Sequence, residues 1–131
     1  MSEPLHRRHY TLAQAQAARG WVAERVHRIR DARDRLRALG AQARRTLNAL
    51  DARSGGAYPG REVAAPLVEM SRALAELQDV EIVLRDLDRG LVDFPTMIDG
   101  AEAYLCWLVD EEDEIAFWHR IDGGFAGRRA L

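Results

Sequence analysis

Three carboxylates fall within eight residues in Asp86-Leu-Asp-Arg-Gly-Leu-Val-Asp-Phe-Pro95, at Asp86, Asp88 and Asp93. Carboxylates that close repel one another unless a cation or a shared proton intervenes, so this stretch invites a hard metal ion. Further along stand Tyr104, Cys106, His119, Asp122 and Arg128. A cysteine becomes a nucleophile only as the thiolate, which needs a base or a cation beside it. The plainer alternative is a buried thiol packed like a small hydrophobe, with His119 satisfied by Tyr104 or a backbone carbonyl. One cysteine and four scattered histidines lack the spacing of a closed zinc site. Asp86, Asp93, Asp122 and His119 are therefore only weak metal candidates. His6 and His9 lie close together, but in an N-terminus expected to fray. The segment Gly123-Gly-Phe-Ala-Gly-Arg-Arg129 has backbone N–H groups and guanidinium groups that suit an anion. More often such a tail only packs its phenylalanine, here Phe125, and leaves its arginines in water. No phosphate loop, nucleophile elbow or dinucleotide fingerprint is present.

Turn chemistry places these side chains. Alternation from Val80 predicts four strands, over 80–85, 91–98, 102–109 and 115–121, joined by short turns. Asp99-Gly100 is a two-residue hairpin turn, pairing Ile98 with Ala101 and so setting Asp93 beside Cys106. If the acidic loop Asp110–Glu114 pairs Leu108 with Ile115, Cys106 faces Phe117 and Tyr104 faces His119. One sheet face then carries Asp93, Tyr104, Cys106 and His119, and the other Phe94, Leu105, Trp107 and Trp118. At Asp88-Arg89-Gly90, a type I turn with a glycine bulge pairs Leu87 with Leu91 and Arg85 with Asp93 as an ion pair. A two-residue loop of Arg89 and Gly90 would instead set Asp86 against Asp93, at the cost of positive φ for Arg89, and sterics favour the ion pair.

The first half of the chain is helical. Thr11 and Gln14 form a capping box, and no proline interrupts the chain from Leu12 to about Ala52. Val22, Ile29, Leu36, Ala43 and Leu50 recur every seven residues, with Ala18, Ala32 and Leu39 between them, although Arg25 and Thr46 interrupt the seam. The loop Ser54–Gly60 turns the chain back. Val63, Leu67, Met70, Leu74 and Leu77 make a second stripe, in which Pro66 is tolerable only in a first turn. The second helix is about half as long as the first. The remainder of the first helix must be covered by the sheet or a second subunit, or the helix must break near Gly20 or Gly40. The favoured cover is a subunit, and one sheet face is likewise expected to meet a subunit or ligand. The expected fold is α+β: residues 1–131 as one domain, a long antiparallel helical hairpin (11–79, loop 54–60) packed on a four-stranded antiparallel meander (80–131) that ends in a glycine- and arginine-rich tail too flexible for regular structure.

Composition sets outer bounds. Residues 1–53 hold 12 arginines against 5 acids, and residues 54–131 hold 7 against 16. Arginines surround the first helix rather than lining one stripe, and Asp31 and Asp34 interleave as partners. Nucleic-acid binding by that helix is therefore ranked last, since the acidic half would repel phosphate. No apolar run follows the basic start, no stretch could span a bilayer, and one cysteine suits a reducing compartment. A cytoplasmic protein without membrane contact is expected.

With these segments laid out, Asp86–Pro95, Tyr104-Leu-Cys-Trp107, Trp118-His119, Gly124-Phe-Ala-Gly-Arg128 and the opening Tyr10-Thr-Leu-Ala-Gln-Ala15 resemble a small uncharacterised bacterial family, domain of unknown function 2203. The resemblance implies a short protein with a helical pair and a C-terminal motif region, and no activity or cofactor. Motif density makes Asp86, Asp88, Arg89, Asp93, Tyr104, Cys106, His119, Asp122, Phe125 and Arg128 the candidate ligand or partner surface. The first expectation is a non-enzymatic interaction module acting as a homodimer, with a further protein partner open. The alternative is a small metal- or ligand-dependent enzyme with its site on the meander.

Overall fold

The capping box forms as its residues dictate. In the computed structural model, which describes residues 3–49 and 60–131, Thr11 N–H donates to Gln14 Oε1 at 2.9 Å and Gln14 N–H to Thr11 Oγ1 at 3.1 Å. Helix α1 then runs unbroken over Leu12–Ala49. Gly20 and Gly40 sit inside it with open space around them, so neither is a hinge required by packing. Helix α2 spans Gly60–Asp79. The expected loop 54–60 lies outside the described residues save Gly60, as do Leu50 and the side chain of Ala43 in the seam.

Two stripes meet between the helices. Val22, Val26, Ile29 and Ala32 of α1 are buried, together with Pro66, Ala73 and Leu77 of α2. Arg25 pairs with Glu76 at 2.6 Å and Arg35 with Glu69 at 3.1 Å, the descending order made by helices running in opposite directions. Two details correct the expected stripe. Leu67 points to solvent at 43 % exposure, and Pro66 takes its place inward. Pro66 is also the seventh residue of α2, not part of its first turn. A proline there removes one helical hydrogen bond, and its complete burial offsets that loss.

The sheet has five antiparallel strands in sequential order, not four: β1 (Val83–Asp86), β2 (Leu91–Ile98), β3 (Ala101–Leu108), β4 (Phe117–Arg120) and β5 (Arg129–Ala130). The glycine-rich tail is thus regular, forming a 3-10 turn over Phe125–Gly127 and a short edge strand. Asp99 and Gly100 both take positive φ and pair Ile98 with Ala101, as the turn demands. One face, carrying Val92, Phe94, Leu105 and Trp107, packs on the helices. Complete burial of Phe94 contributes roughly 1.5–3 kcal/mol.

The sheet side covers the N-terminal part of α1. The Gln16 side-chain amide donates to the Ile115 carbonyl and accepts the Ile115 N–H, Arg19 reaches the Asp113 carbonyl, and His27 and Arg30 hold Asp110 at 2.7 Å each. Arg30 also donates to the Leu87 carbonyl at 2.9 Å, and Arg33 pairs with Asp88. Several arginines that might have met a phosphate backbone therefore face carboxylates of the same chain. Among the described residues, no helix is long and apolar enough to cross a membrane.

Gly90 closes the turn between β1 and β2. Its φ is +68°, and an added Cβ would lie 3.2 Å from Arg30 Nη2, 3.2 Å from Asp110 Oδ2 and 3.3 Å from Val109 Cβ. Gly90→Ala therefore meets left-handed strain and a crowded polar contact together. Urea unfolding is expected to show a loss of about 1–3 kcal/mol.

Candidate functional site

Strand register assembles a polar cluster on the sheet face turned away from the helices. Asp93 of β2 pairs with Cys106 of β3, which pairs with Phe117 of β4, while Tyr104 pairs with His119. Asp93, Cys106 and His119 are 2 %, 0 % and 2 % exposed, so the cluster is sealed inside the chain. Its carboxylate oxygen, sulfur and imidazole nitrogen all lie within 4.8 Å of one another. His119 Nε2 is 3.0 Å from both Asp93 oxygens. Arg85 Nε donates to Asp93 Oδ2 at 2.9 Å from the solvent side.

The Arg85–Asp93 ion pair forms, but by another register than the turn suggests. Val83, not Arg85, sits opposite Asp93, and Asp86, not Leu87, pairs with Leu91. Arg85 is the extra residue of a bulge, which turns its side chain onto the Asp93 face. Burial pulls the Arg85 guanidinium down, while the bond and charge of Asp93 outweigh it and raise it.

Hydrogen-bond bookkeeping constrains His119. Its Nδ1 is 2.7 Å from the Arg120 carbonyl, which can only accept, so Nδ1 carries a hydrogen. Nε2 faces the Asp93 carboxyl group. It therefore carries a second hydrogen, accepts one from a protonated Asp93, or directs its lone pair at a shared cation. Cys106 is not an activated nucleophile in the metal-free chain. Burial, and then the neighbouring Asp93 charge, push its thiol up to about 12, while Arg128 acts in the opposite sense. In the presence of a chelator, Cys106 is expected to react with a disulfide reagent at least ~100-fold more slowly in the native protein than in guanidinium, because only the thiolate attacks.

The face is walled by the chain's own ends, which removes the exposed apolar face expected to meet a subunit. On one side lies a strap, residues 3–10, that is not frayed. His6 Nε2 is 2.6 Å from the Tyr104 hydroxyl, and the Tyr104 ring lies 5.4 Å from that of His119. Glu102 accepts the N–H groups of Leu5 and His6 at 2.7 and 3.0 Å, and His9 adds a bond at 2.9 Å. Glu81 accepts those of Arg7 and Arg8 at 3.2 and 2.7 Å. Neither glutamate carried a local signal, because its partners lie more than 70 residues away in sequence.

Both carboxyls titrate below the ordinary 4.5. At Glu81 the amide of Arg7 is the largest cause; at Glu102 burial acts upward, but the His9 bond and the two amides outweigh it. The sign follows from a depressed folded pKa: these contacts contribute fully above 4.5 and are lost as pH falls through the lower folded values. Amide protection at residues 5–8, followed by NMR hydrogen exchange, is expected to persist at pH 6 and to collapse in acid before the core unfolds.

On the other side, Arg128 donates to the Cys106 carbonyl at 3.2 Å and to Glu112 at 2.7 Å, with its guanidinium 4.2 Å from the Phe117 ring centre. Arg89 stacks 4.1 Å over Phe125. Of the two arginines of the expected anion cradle, Arg128 is thus engaged within the chain, while Arg129 is exposed in β5 beside the Trp118 ring. Asp86 accepts the Arg89 N–H at 3.1 Å instead of facing Asp93. Asp88 pairs with Arg33, and Asp122 is exposed in the turn after β4. Asp93, Tyr104, Cys106 and His119 are thus brought together, while Asp86, Asp88 and Asp122 are not.

These elements define a class: an α+β protein whose antiparallel sheet encloses an Asp–Cys–His cluster behind its own termini. The chain belongs to the family described as Uncharacterized conserved protein (DUF2203), whose model matches residues 8–131. Comparison with curated proteins and with solved structures gave no match.

Proposed function

We propose that the protein binds a divalent transition-metal ion between Asp93, Cys106 and His119, and that this ion is the centre of a small metal-dependent enzyme. The observation that carries the reading is the convergence of three buried donors of three kinds within 4.8 Å. Donors around a tetrahedral zinc ion stand ~3.3–3.8 Å apart at bonds of ~2.0–2.3 Å, so side-chain rotations of about an ångström close the set. Imidazole, thiolate and carboxylate together favour a zinc-like ion over magnesium or calcium. Nδ1 of His119 bonds the Arg120 carbonyl, the outer contact that orients a histidine ligand. Three protein donors leave a fourth position for water or a substrate atom, as in catalytic rather than structural zinc sites. The setting proposed is a reducing cytoplasm, where Cys106 stays a free thiol or thiolate.

The test is isothermal titration of chelator-treated protein with zinc, at several pH values. One zinc per chain is expected, with proton release and an apparent affinity rising about tenfold per pH unit for each displaced proton. No saturable binding at micromolar protein would remove the proposal.

A second reading, the homodimer, is favoured by Leu67 and Val68 on α2, exposed at 43 % and 54 %. In it α1 and α2 form an antiparallel helical hairpin and α2 meets its copy. Light scattering is expected to give twice the chain mass, and the chain mass for Val68→Glu. A monomeric wild-type protein rejects it.

A further inference from the structure

The strap is an unusual element in what holds it. Leu5 is 67 % exposed, Arg7 and Arg8 are exposed, and a cleft of about 410 Å³ opens beside His6, between Leu77, Glu81 and Val83. Apolar burial therefore does not fix residues 5–8. Four consecutive backbone N–H groups are instead taken pairwise by two carboxylates from different parts of the fold, Glu102 on β3 and Glu81 before β1. An element with few buried apolar contacts and solvent-near hydrogen bonds opens locally at far lower free energy than the core.

What the strap grips is Tyr104. The His6 ring meets the Tyr104 ring edge-on at 5.4 Å and bonds its hydroxyl. The Tyr104 ring covers His119 and lies 4.9 Å from the Arg85 guanidinium, which itself holds Asp93. Arg85 is the half-exposed member of this group, at 42 % for its side chain, so solvent comes nearest to the cluster at the seam between Arg85 and Tyr104. The opposite wall is pinned by Arg128 to both Cys106 and Glu112.

We propose that the strap is the gate of the Asp93–Cys106–His119 centre: release of residues 5–8 from Glu81 and Glu102 withdraws His6 from Tyr104, and Tyr104 then swings aside to admit the ion and any molecule that binds it. This rests on the metal reading for its ligand, while the contacts that hold the strap, through Glu81, Glu102 and the Tyr104 hydroxyl, involve none of the three donors. Glu81 and Glu102 act as positioning residues, His6 as the latch and Tyr104 as the moving cover.

The experiment uses the full chain in four forms: wild type, Glu81→Ala/Glu102→Ala, Tyr104→Phe and the control Arg35→Ala, which removes an ion pair between the helices. Two rates are measured on each, zinc association by stopped flow and, in chelator, the reaction of Cys106 with 4,4′-dithiodipyridine. Both rates are expected to rise at least about tenfold in the double variant and in Tyr104→Phe, and to stay unchanged in Arg35→Ala. The Tyr104→Phe variant keeps the ring and loses the hydroxyl that His6 holds, so it decides the matter if the double variant is unstable. Thiol rates equal to wild type in folded variants overturn the gate. Faster thiol reaction with zinc bound by none of the forms keeps the gate and discards the metal reading. Zinc bound by all at equal rates does the reverse.

Discussion

Asp93→Ala is expected to destabilise the chelator-treated protein by about 3 kcal/mol, the upper end of the cost of leaving a buried polar group without its hydrogen-bond partner. Asp93 meets His119 Nε2 inside the sheet and accepts from Arg85 at its edge, and it is 2 % exposed. Without it, His119 keeps its Arg120 bond but is left with no partner for Nε2 in a site closed to water. Arg85 can turn to solvent, so Arg85→Ala is expected to cost no more than about 1 kcal/mol, the scale of an exposed pair. Asp93→Asn keeps the volume and one acceptor, and falls between them at about 1–3 kcal/mol. Urea unfolding in EDTA measures all three. Equal losses for Arg85→Ala and Asp93→Ala would show that the edge contact, and not the buried one, holds the cluster.

Ligand substitution carries the other large effect. Cys106→Ser and His119→Gln are each expected to weaken zinc binding by at least ~100-fold, since loss even of outer-shell contacts to a metal ligand costs 10–100-fold. Asp86→Asn and Asp122→Asn are expected to leave it within about twofold, because Asp86 caps the Arg89 amide and Asp122 is exposed in a turn. Competition titrations against a chromophoric chelator read both sets. A loss of affinity in Asp122→Asn matching that in His119→Gln would move the site to the surface carboxylates. Stability must be compared at the same time: Ser for Cys keeps the shape of a side chain with no exposed surface, whereas Gln at 119 tests whether the sheet tolerates loss of the ring.

The sheet face was legible in the sequence because one two-residue turn has few geometries. Asp99-Gly100 fixes the register of β2 against β3, and that alone sets Asp93 beside Cys106. The partnering of Cys106 with Phe117 and Tyr104 with His119 followed from the length of the acidic loop. The turn at Gly90 misled, since a bulge at Arg85 reproduces the expected ion pair with a different backbone pairing. Periodicity located both helices but placed Leu67 inward, because it assigned Pro66 no role in packing. Charge counts showed a basic half and an acidic half, which the structure uses within one chain, in Arg30–Asp110, Arg33–Asp88 and Arg25–Glu76. The strap was out of reach: nothing near His6 in sequence announces Glu102, and a short polar N-terminus reads as frayed until its amides are given partners.

Those clamps also order the events of synthesis. Helix α1 closes its hydrogen bonds locally and can form while the chain is still being extended. Residues 5 and 6 leave the ribosome well before their acceptor and find it only when Glu102 has been made and β3 has paired, 97 and 96 positions later. Contacts of such sequence separation form late, after the loops they close have been shortened by other structure. The nascent protein therefore assembles its sheet with the Tyr104 side still open, and residues 5–8 are the last to settle.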